Sequence, residues 1–256
     1  MQKFTFHLIP KIAEDSRRRV QPHIFRAVLM EMLAKIDSKY IEELHKPNQI
    51  RPYAISIKNE AQQIRLELII LTEDFSKAIL DYILALNEFV INVNQSEYIL
   101  LKIDLETLKM ETFMKQGRKI SKFNLRFLTP TYFNIVGREF DMRLPEPTFL
   151  FENIAHIWNK FAPEGCGIDF SGLYEWISKN VFISSYNLKT RAFHIGKEAP
   201  VIGCTGWATY LVKDPENGYA IWLDILLRFA EYSNLGGNRT AACGVIRYEP
   251  LEVVNS

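Results

Sequence analysis

The sequence predicts an α+β protein built as two successive βαββαβ halves. Three observations lead there. Short alternating runs have the period of half-buried strands, apolar positions recur at helical spacing between them, and the same order begins again after a basic connector near the middle of the chain. With 256 residues, 48% hydrophobic and 24% charged, the chain has the composition of an ordinary globular protein and enough length for one large core or two small ones. Thirty-one Lys and Arg against 30 Asp and Glu leave a net charge of +1, so a polyanion would have to bind a local patch.

The first half is read as residues 1–120. Gln2 to Ile9 alternates Phe4, Phe6 and Leu8 with polar residues and forms the first strand. Arg17, Arg18 and Arg19 follow in a loop; such a run is more often solvated than bound, yet three guanidinium groups in series also suit a phosphate backbone. Pro22 opens a helix whose Phe25, Leu29, Met32, Leu33 and Ile36 share one face. Pro47 stops the helix before it and so places His45 near a helix end, in a loop. Arg51 to Ile57 and Gln63 to Leu71 read as strands, with Tyr53 a strand residue. Thr72 or Asp74 caps a helix carrying Phe75, Ile79, Ile83 and Leu86, and Phe89 to Val93 pairs with Tyr98 to Leu105 as a closing hairpin.

The second half is read as residues 121–256. Lys115 to Lys122 is the sharpest basic cluster and serves equally as a solvated connector or as a polyanion contact. Phe123 to Leu128 is a strand ended by Thr129-Pro130-Thr131. Pro145 and Pro147 precede a helix over Thr148 to Phe161, in which His156 reads as a helix residue and not a catalyst. A short helix near Leu173 to Ser178, long strands over Val181 to Ile195 and Val201 to Leu211, a helix over Tyr219 to Tyr232, and a strand over Ala241 to Tyr248 complete it. No internal repeat is visible in the letters, so the duplication rests on element order together with a resemblance to a known family.

Cys166, Cys204 and Cys243 lie far apart, which leaves no zinc knuckle or CxxC pair among sequence neighbours; reduced, buried thiols are expected, with no metal and no cofactor. The opening MQKFTFHLIP lacks a secretory pattern, and no run approaches the roughly 20 apolar residues that span a bilayer, so a cytoplasmic location is expected.

The stretch from Leu227 to Tyr248, LRFAEYSNLGGNRTAACGVIRY, reads as a helix end, a tight glycine-rich loop and a buried strand. Gly236 and Gly237 can take φ > 0 and leave backbone N–H groups uncovered, while Asn238 and Arg239 add side-chain donors. The lysine and Ser/Thr of a P-loop are missing, which argues against ATP or GTP and favours a longer polyanion. The same turn also serves simply as a helix C-cap.

This order of helix, FAEYSNLGG, Arg-Thr, small residues, glycine and a β-run resembles the C-terminal glycine-rich loop of the CRISPR repeat-processing endoribonucleases of the RAMP superfamily. YNLKTRAFHIGKEAPVIGCTGWATYLV is similar to the strand pair before that family's last helix, and LHKPNQIRPYAIS to the segment after its first helix. Ala241-Ala242-Cys243 departs from the family pattern, in which Gly or Ser is frequent. The resemblance implies two tandem ferredoxin-like, RRM-like domains. It also implies a metal-independent endoribonuclease that cleaves CRISPR repeat RNA in the precursor transcript by 2′-OH attack and leaves guide RNAs with 2′,3′-cyclic phosphate ends.

Such cleavage needs a base for the 2′-OH proton, an acid for the 5′-oxygen and a cation for the phosphorane, and histidine can take either proton role near neutrality. The piece from Tyr40 to Arg51 offers His, Tyr, Lys and Arg together. By the resemblance, His45 matches the family's general-acid or general-base histidine, Arg51 stands where a phosphate-stabilising cation is found, and Tyr40 is the accompanying tyrosine; His194 is held in reserve. The RNA contacts expected are Arg17, Arg18, Arg19, Lys46, Lys119, Lys189, Arg191, Gly236, Gly237, Asn238 and Arg239. CRISPR repeat RNA is the expected partner, other CRISPR effector subunits are further candidates, and the chain is expected as a monomer or homodimer away from any membrane. The rival reading is a RAMP-type subunit that holds CRISPR RNA without cutting. A generic RRM-like binder would show RNP-type aromatics on a central strand, and FNLRFL matches that poorly.

Overall fold

Strand β1 (Gln2–Pro10) buries Phe4, Phe6 and Leu8 and turns Lys3, Thr5 and His7 to the opposite face, as its alternation requires. In the computed structural model, which describes residues 1–12, 22–46, 49–60, 63–85, 90–93, 96–135, 137, 139–195 and 200–254, this strand is the centre of the first of two sheets. It pairs antiparallel with β3 (Ile64–Ile70) on one side and β5 (Ser96–Thr107) on the other. Beyond them lie β2 (Tyr53–Asn59) and the short β4 (Val90–Val93), giving the order β2-β3-β1-β5-β4. The expected closing hairpin is the β4–β5 pair, with β5 extended to Thr107.

Helices α1 (Pro22–Ile36) and α3 (Glu73–Leu84) lay Phe25, Leu29, Met32, Leu33, Phe75 and Ile79 on the core built by Phe4, Phe6 and Leu8. A separate short helix, α2 (Ser38–His45), intervenes before β2. Asp37 makes the break. Its amide ends α1 on the Leu33 carbonyl at 3.0 Å, and its carboxylate accepts from the Lys39 amide at 2.9 Å at the start of α2. That amide, and then the Lys39 ammonium, hold the Asp37 carboxyl below its ordinary range.

The second unit begins at Lys109 and the first consists of Met1–Leu108 with short segments that include Thr240–Ala242. After α4 (Met110–Lys115) come β6 (Ile120–Thr131), α5 (Pro147–Phe161), α6 (Phe170–Asn180), β7 (Val181–Phe193), β8 (Val201–Val212), α7 (Ala220–Ser233) and β9 (Ile246–Val253). The sheet is antiparallel in the order β7-β8-β6-β9. In both sheets the first strand of the half lies between its third and its last long strand. The two units are therefore tandem ferredoxin-like folds, the first carrying an extra strand.

Phe123 stacks on Tyr210 with centroids 4.7 Å apart, and Phe151 and Tyr248 meet its edges at 6.3 and 6.2 Å. Pro147 sits in the first turn of α5, whose amides at Thr148 and Phe149 are capped by the Glu146 carboxylate. Among the boundaries that differ from expectation, two have a local cause. β6 continues through Pro130 to Thr131 because its pairing with β8 shifts register after Phe127. β9 starts at Ile246 and not at Ala241, because Ala242 and Gly244 have φ of 60° and 73°, which no extended strand accepts. Among the described residues no helix is long and apolar enough to cross a membrane.

The fully buried Asp224 on α7 ties this unit together. It accepts from the Arg118 guanidinium at 3.0 Å, the Arg118 amide at 3.2 Å and the Tyr248 hydroxyl at 2.6 Å. Burial and then the neighbouring carboxylate keep the Tyr248 phenol protonated far above its ordinary range. Asp224→Ala should cost about 1–3 kcal/mol by orphaning that hydroxyl. Tyr248→Phe made in the same background should recover part of the loss. Urea unfolding of the four-member cycle checks this, and strictly additive losses would contradict the coupling.

Candidate functional site

The piece from Tyr40 to Arg51 spans the end of α2 and the approach to β2. Leu44 is buried, and Tyr40 and Ile41 are half-buried against the core of the first unit, which anchors α2 by one face. The Tyr40 ring stacks on Phe75 with centroids 5.7 Å apart, and the Lys39 ammonium lies 5.2 Å from the centre of the same Tyr40 ring. His45 is the last residue of α2, so the expected helix end is there, although the His45 side chain and Pro47 lie outside the described residues. Lys46 is exposed and Arg51 half-buried.

Tyr53, next but one to Arg51, is buried at the start of β2. Burial raises its phenol above the ordinary range, against the opposing effects of the Arg26 charge, a hydrogen bond with Thr240 and the Arg51 charge. Arg26 and Thr240 thus join Arg51 around one hydroxyl in the first unit. Sequence reading missed both. Arg26 sits inside a helix that reads as plain packing, and Thr240 is nearly two hundred positions away in the chain.

The glycine-rich loop has a different internal logic from the one its letters suggest. Helix α7 ends at Asn234, whose φ is 58°, and Gly236 follows at φ 73°. A Cβ on Gly236 would stand 2.1 Å from the Tyr132 carbonyl oxygen, and one on Gly237 would enter the Tyr132 ring at 2.5 Å. The glycines are there because the main chain lies on Tyr132. Their amides, expected to be uncovered, are used internally: Gly236 donates to Asn153 Oδ1 at 2.8 Å and Gly237 to the Tyr132 carbonyl at 3.0 Å. Asn238 donates to the Tyr132 hydroxyl at 2.6 Å. Arg239, expected as a phosphate donor on the surface, is buried, and its Nη1 donates to the Ser233 carbonyl at 2.7 Å, closing the end of α7. Tyr132 gives no signal in the sequence, because only the tertiary fold brings it to a loop a hundred residues on.

The basic connector is engaged as well. The Lys119 ammonium meets Glu216 at 3.0 Å, Arg118 binds Asp224, and Lys122 reaches Glu252 at 3.3 Å. Lys189 and Arg191 lie exposed on β7, and His194 is exposed just past its end. Arg17, Arg18 and Arg19 lie outside the described residues. The three cysteines are unbridged, and burial pushes the Cys204 and Cys243 thiols up to about 12. Among the described residues no group of three or more His, Cys, Asp and Glu side chains is placed to hold a metal ion.

The steric account of the loop gives a direct test. Gly236→Ala should lower stability by about 2–5 kcal/mol, since it adds a backbone clash to left-handed strain. Gly165→Ala, at φ 78° with nothing near its added carbon, should cost only about 1–2 kcal/mol. Equal losses in denaturant unfolding would contradict the role given to Tyr132.

Comparison with known proteins points one way. The family model for the CRISPR-associated endoribonuclease Cas6 matches residues 125–246, which include β8, α7 and the glycine-rich loop. A Streptococcus thermophilus CRISPR-associated endoribonuclease Cas6 is 24% identical over 249 residues, covering 96% of each chain. One from Mycobacterium tuberculosis is 32% identical over 130 residues, 51% of this chain and 40% of its own. Among solved structures, a Cas6 product complex aligns with TM-score 0.78 at 19% identity over 97% of this chain and all of its own. Thermus thermophilus Cas6 aligns with TM-score 0.72 at 19% identity over 97% and 98%; at these identities the structures speak for the fold. The family model over the second half and the relative matched end to end both liken this chain to the CRISPR-associated endoribonuclease Cas6 family, and the solved structures share its fold.

Proposed function

We propose that this chain, an endoribonuclease that processes CRISPR repeat RNA, cuts its substrate by metal-independent attack of a ribose 2′-OH on the adjacent phosphate. The observation that carries this reading is the likeness to a CRISPR-associated endoribonuclease along 96% of both chains, since a ferredoxin-like fold alone serves many functions. In the reaction the 2′-oxygen bonds to phosphorus and the bond from phosphorus to the 5′-oxygen breaks. The 2′-OH proton passes to a base, the leaving oxygen takes one from an acid, and the products end in a 2′,3′-cyclic phosphate and a 5′-hydroxyl. His45 carries a proton step, Arg51 faces the negative charge of the phosphorane, and Tyr40 accompanies them from the same helix. What supports this assignment is that α2 and the segment after it hold all three within twelve residues of one unit.

Lys46, Lys189 and Arg191, all exposed, contact the RNA backbone, as do Arg17, Arg18 and Arg19. Gly236, Gly237, Asn238 and Arg239 serve the RNA by holding the loop in place, and Lys119 by holding its connector to Glu216. Single-turnover cleavage of repeat RNA should proceed undiminished in EDTA. His45→Ala should slow it on the order of 10² to 10⁴-fold while leaving RNA affinity nearly intact. Activity that disappears on chelation and returns with Mg²⁺ would overturn the mechanism, and His45→Ala cutting at the wild-type rate would move the catalyst elsewhere, with His194 next to be replaced. A wild-type chain that binds repeat RNA and never cuts it would instead support a purely RNA-holding subunit.

A further inference from the structure

The open faces of the two sheets carry charge in opposite ways. On the first, cations face carboxylates. Lys3 and Lys58 lie 3.3 and 3.6 Å from Glu67, Lys102 and His7 lie 3.0 and 2.7 Å from Asp104, and Arg65 lies 2.8 Å from Glu60. On the second, strand alternation buries Phe123, Leu125, Phe127, Ala208 and Tyr210 and turns their neighbours to the other side. The register there aligns Asn187, Trp207, Arg126 and Arg247 in one row across β7, β8, β6 and β9, and all four are exposed. Lys189 and Arg191 continue on the same face of β7, opposite Thr205 and Gly203. Among the described residues no ion pair engages Arg126, Arg247, Lys189 or Arg191. Two carboxylates share this face of β9: Glu249, two residues on from Arg247 and opposite Asn124, and Glu252, which is held by Lys122 and Ser121.

Trp207 is 37% exposed although β8 is an interior strand, whereas Trp158 and Trp176 are 0% and 8% exposed. An indole displayed at the centre of a sheet, with guanidinium groups beside it on one side and an amide on the other, offers a stacking surface flanked by phosphate-neutralising charge. The bases of a duplex are stacked within it and cannot lie on such a surface, while those of a single strand can. We propose that this open face binds an unpaired segment of the RNA, with a base stacked on Trp207 and phosphates on Arg126 and Arg247. The proposal rests on the reading of the chain as an RNA-processing enzyme and adds the part of the substrate that this sheet receives.

Tryptophan emission of the full chain tests it, with a short oligouridylate as the probe. The single strand should quench the wild type, and Trp207→Phe should abolish most of that quench. Trp207→Ala should weaken oligouridylate binding roughly tenfold or more. The paired change Arg126→Ala with Arg247→Ala should lower the slope of log affinity against log salt by about 1.4, two contacts at about 0.7 each. Unchanged affinity and slope in these variants would overturn the proposal, as would an equal quench by a blunt RNA duplex. The readout needs no cleavage. A wild type that cuts repeat RNA without any Trp207 quench therefore refutes this inference alone, and one that quenches without cutting refutes the catalytic reading alone.

Discussion

The contact on which the second half most depends is that of the glycine-rich loop with Tyr132. The main chain at Gly236 and Gly237 comes so near that ring and its carbonyl that a single added carbon cannot be accommodated. Three further hydrogen bonds reinforce the seat. Asn238 grips the Tyr132 hydroxyl, Gly237 its carbonyl, and Gly236 the Asn153 amide oxygen. Burial, with Cys243 and Asp141 nearby, keeps the Tyr132 phenol above its ordinary range against the pull of Asn238, so the hydroxyl remains protonated at neutral pH. The loop is consequently set where α7 ends and β9 begins. Its next residues, Thr240–Ala242, count with the first unit, where Ala242 lies in the hydrophobic core.

A second regularity follows from how the two halves treat charge. Both are ferredoxin-like sheets with one face given to helices, and both bury an alternating run of Phe and Leu on that face. Their other faces differ. Glu67 in the first sheet is a half-buried carboxylate that burial would push up, but Ser56, Lys3 and Lys58 together draw it below its ordinary range. Its cations are committed to it. Among the described residues the arginines of the second sheet stand without such partners around an exposed indole, and a net charge of +1 for the whole chain conceals that contrast. Composition averages over surfaces; recognition depends on which face a strand turns outward.

Much of the fold was legible in the letters because its signals are local. Phe4, Phe6 and Leu8 alternate, Pro147 marks the start of α5, and Ile225, Leu226 and Phe229 recur at helical spacing. The break between α1 and α2 was not, because it depends on a single aspartate whose carboxylate happens to meet the Lys39 amide. The β9 start was misjudged for a related reason: Ala242 takes a left-handed conformation that only the packing around it enforces. At the candidate site, the grouping of Tyr40, His45 and Arg51 was readable as a short segment of suitable residue types. What lies around it was not. Arg239 looks like a surface cation in sequence and is a buried cap, and Tyr132 and Trp207 acquire their roles from pairings set far away in the chain.

The central claim is that the ribose itself supplies the nucleophile. Once the cut position in the repeat is mapped, the most direct measurement uses the same RNA carrying one 2′-deoxy sugar immediately before the scissile phosphate, incubated with excess protein in EDTA. The account predicts that this RNA binds as tightly as the all-ribose repeat and stays intact, while the all-ribose repeat yields fragments ending in a 2′,3′-cyclic phosphate. Cleavage of the deoxy-substituted RNA at the same position would contradict it, because the attacking oxygen would then have to come from water.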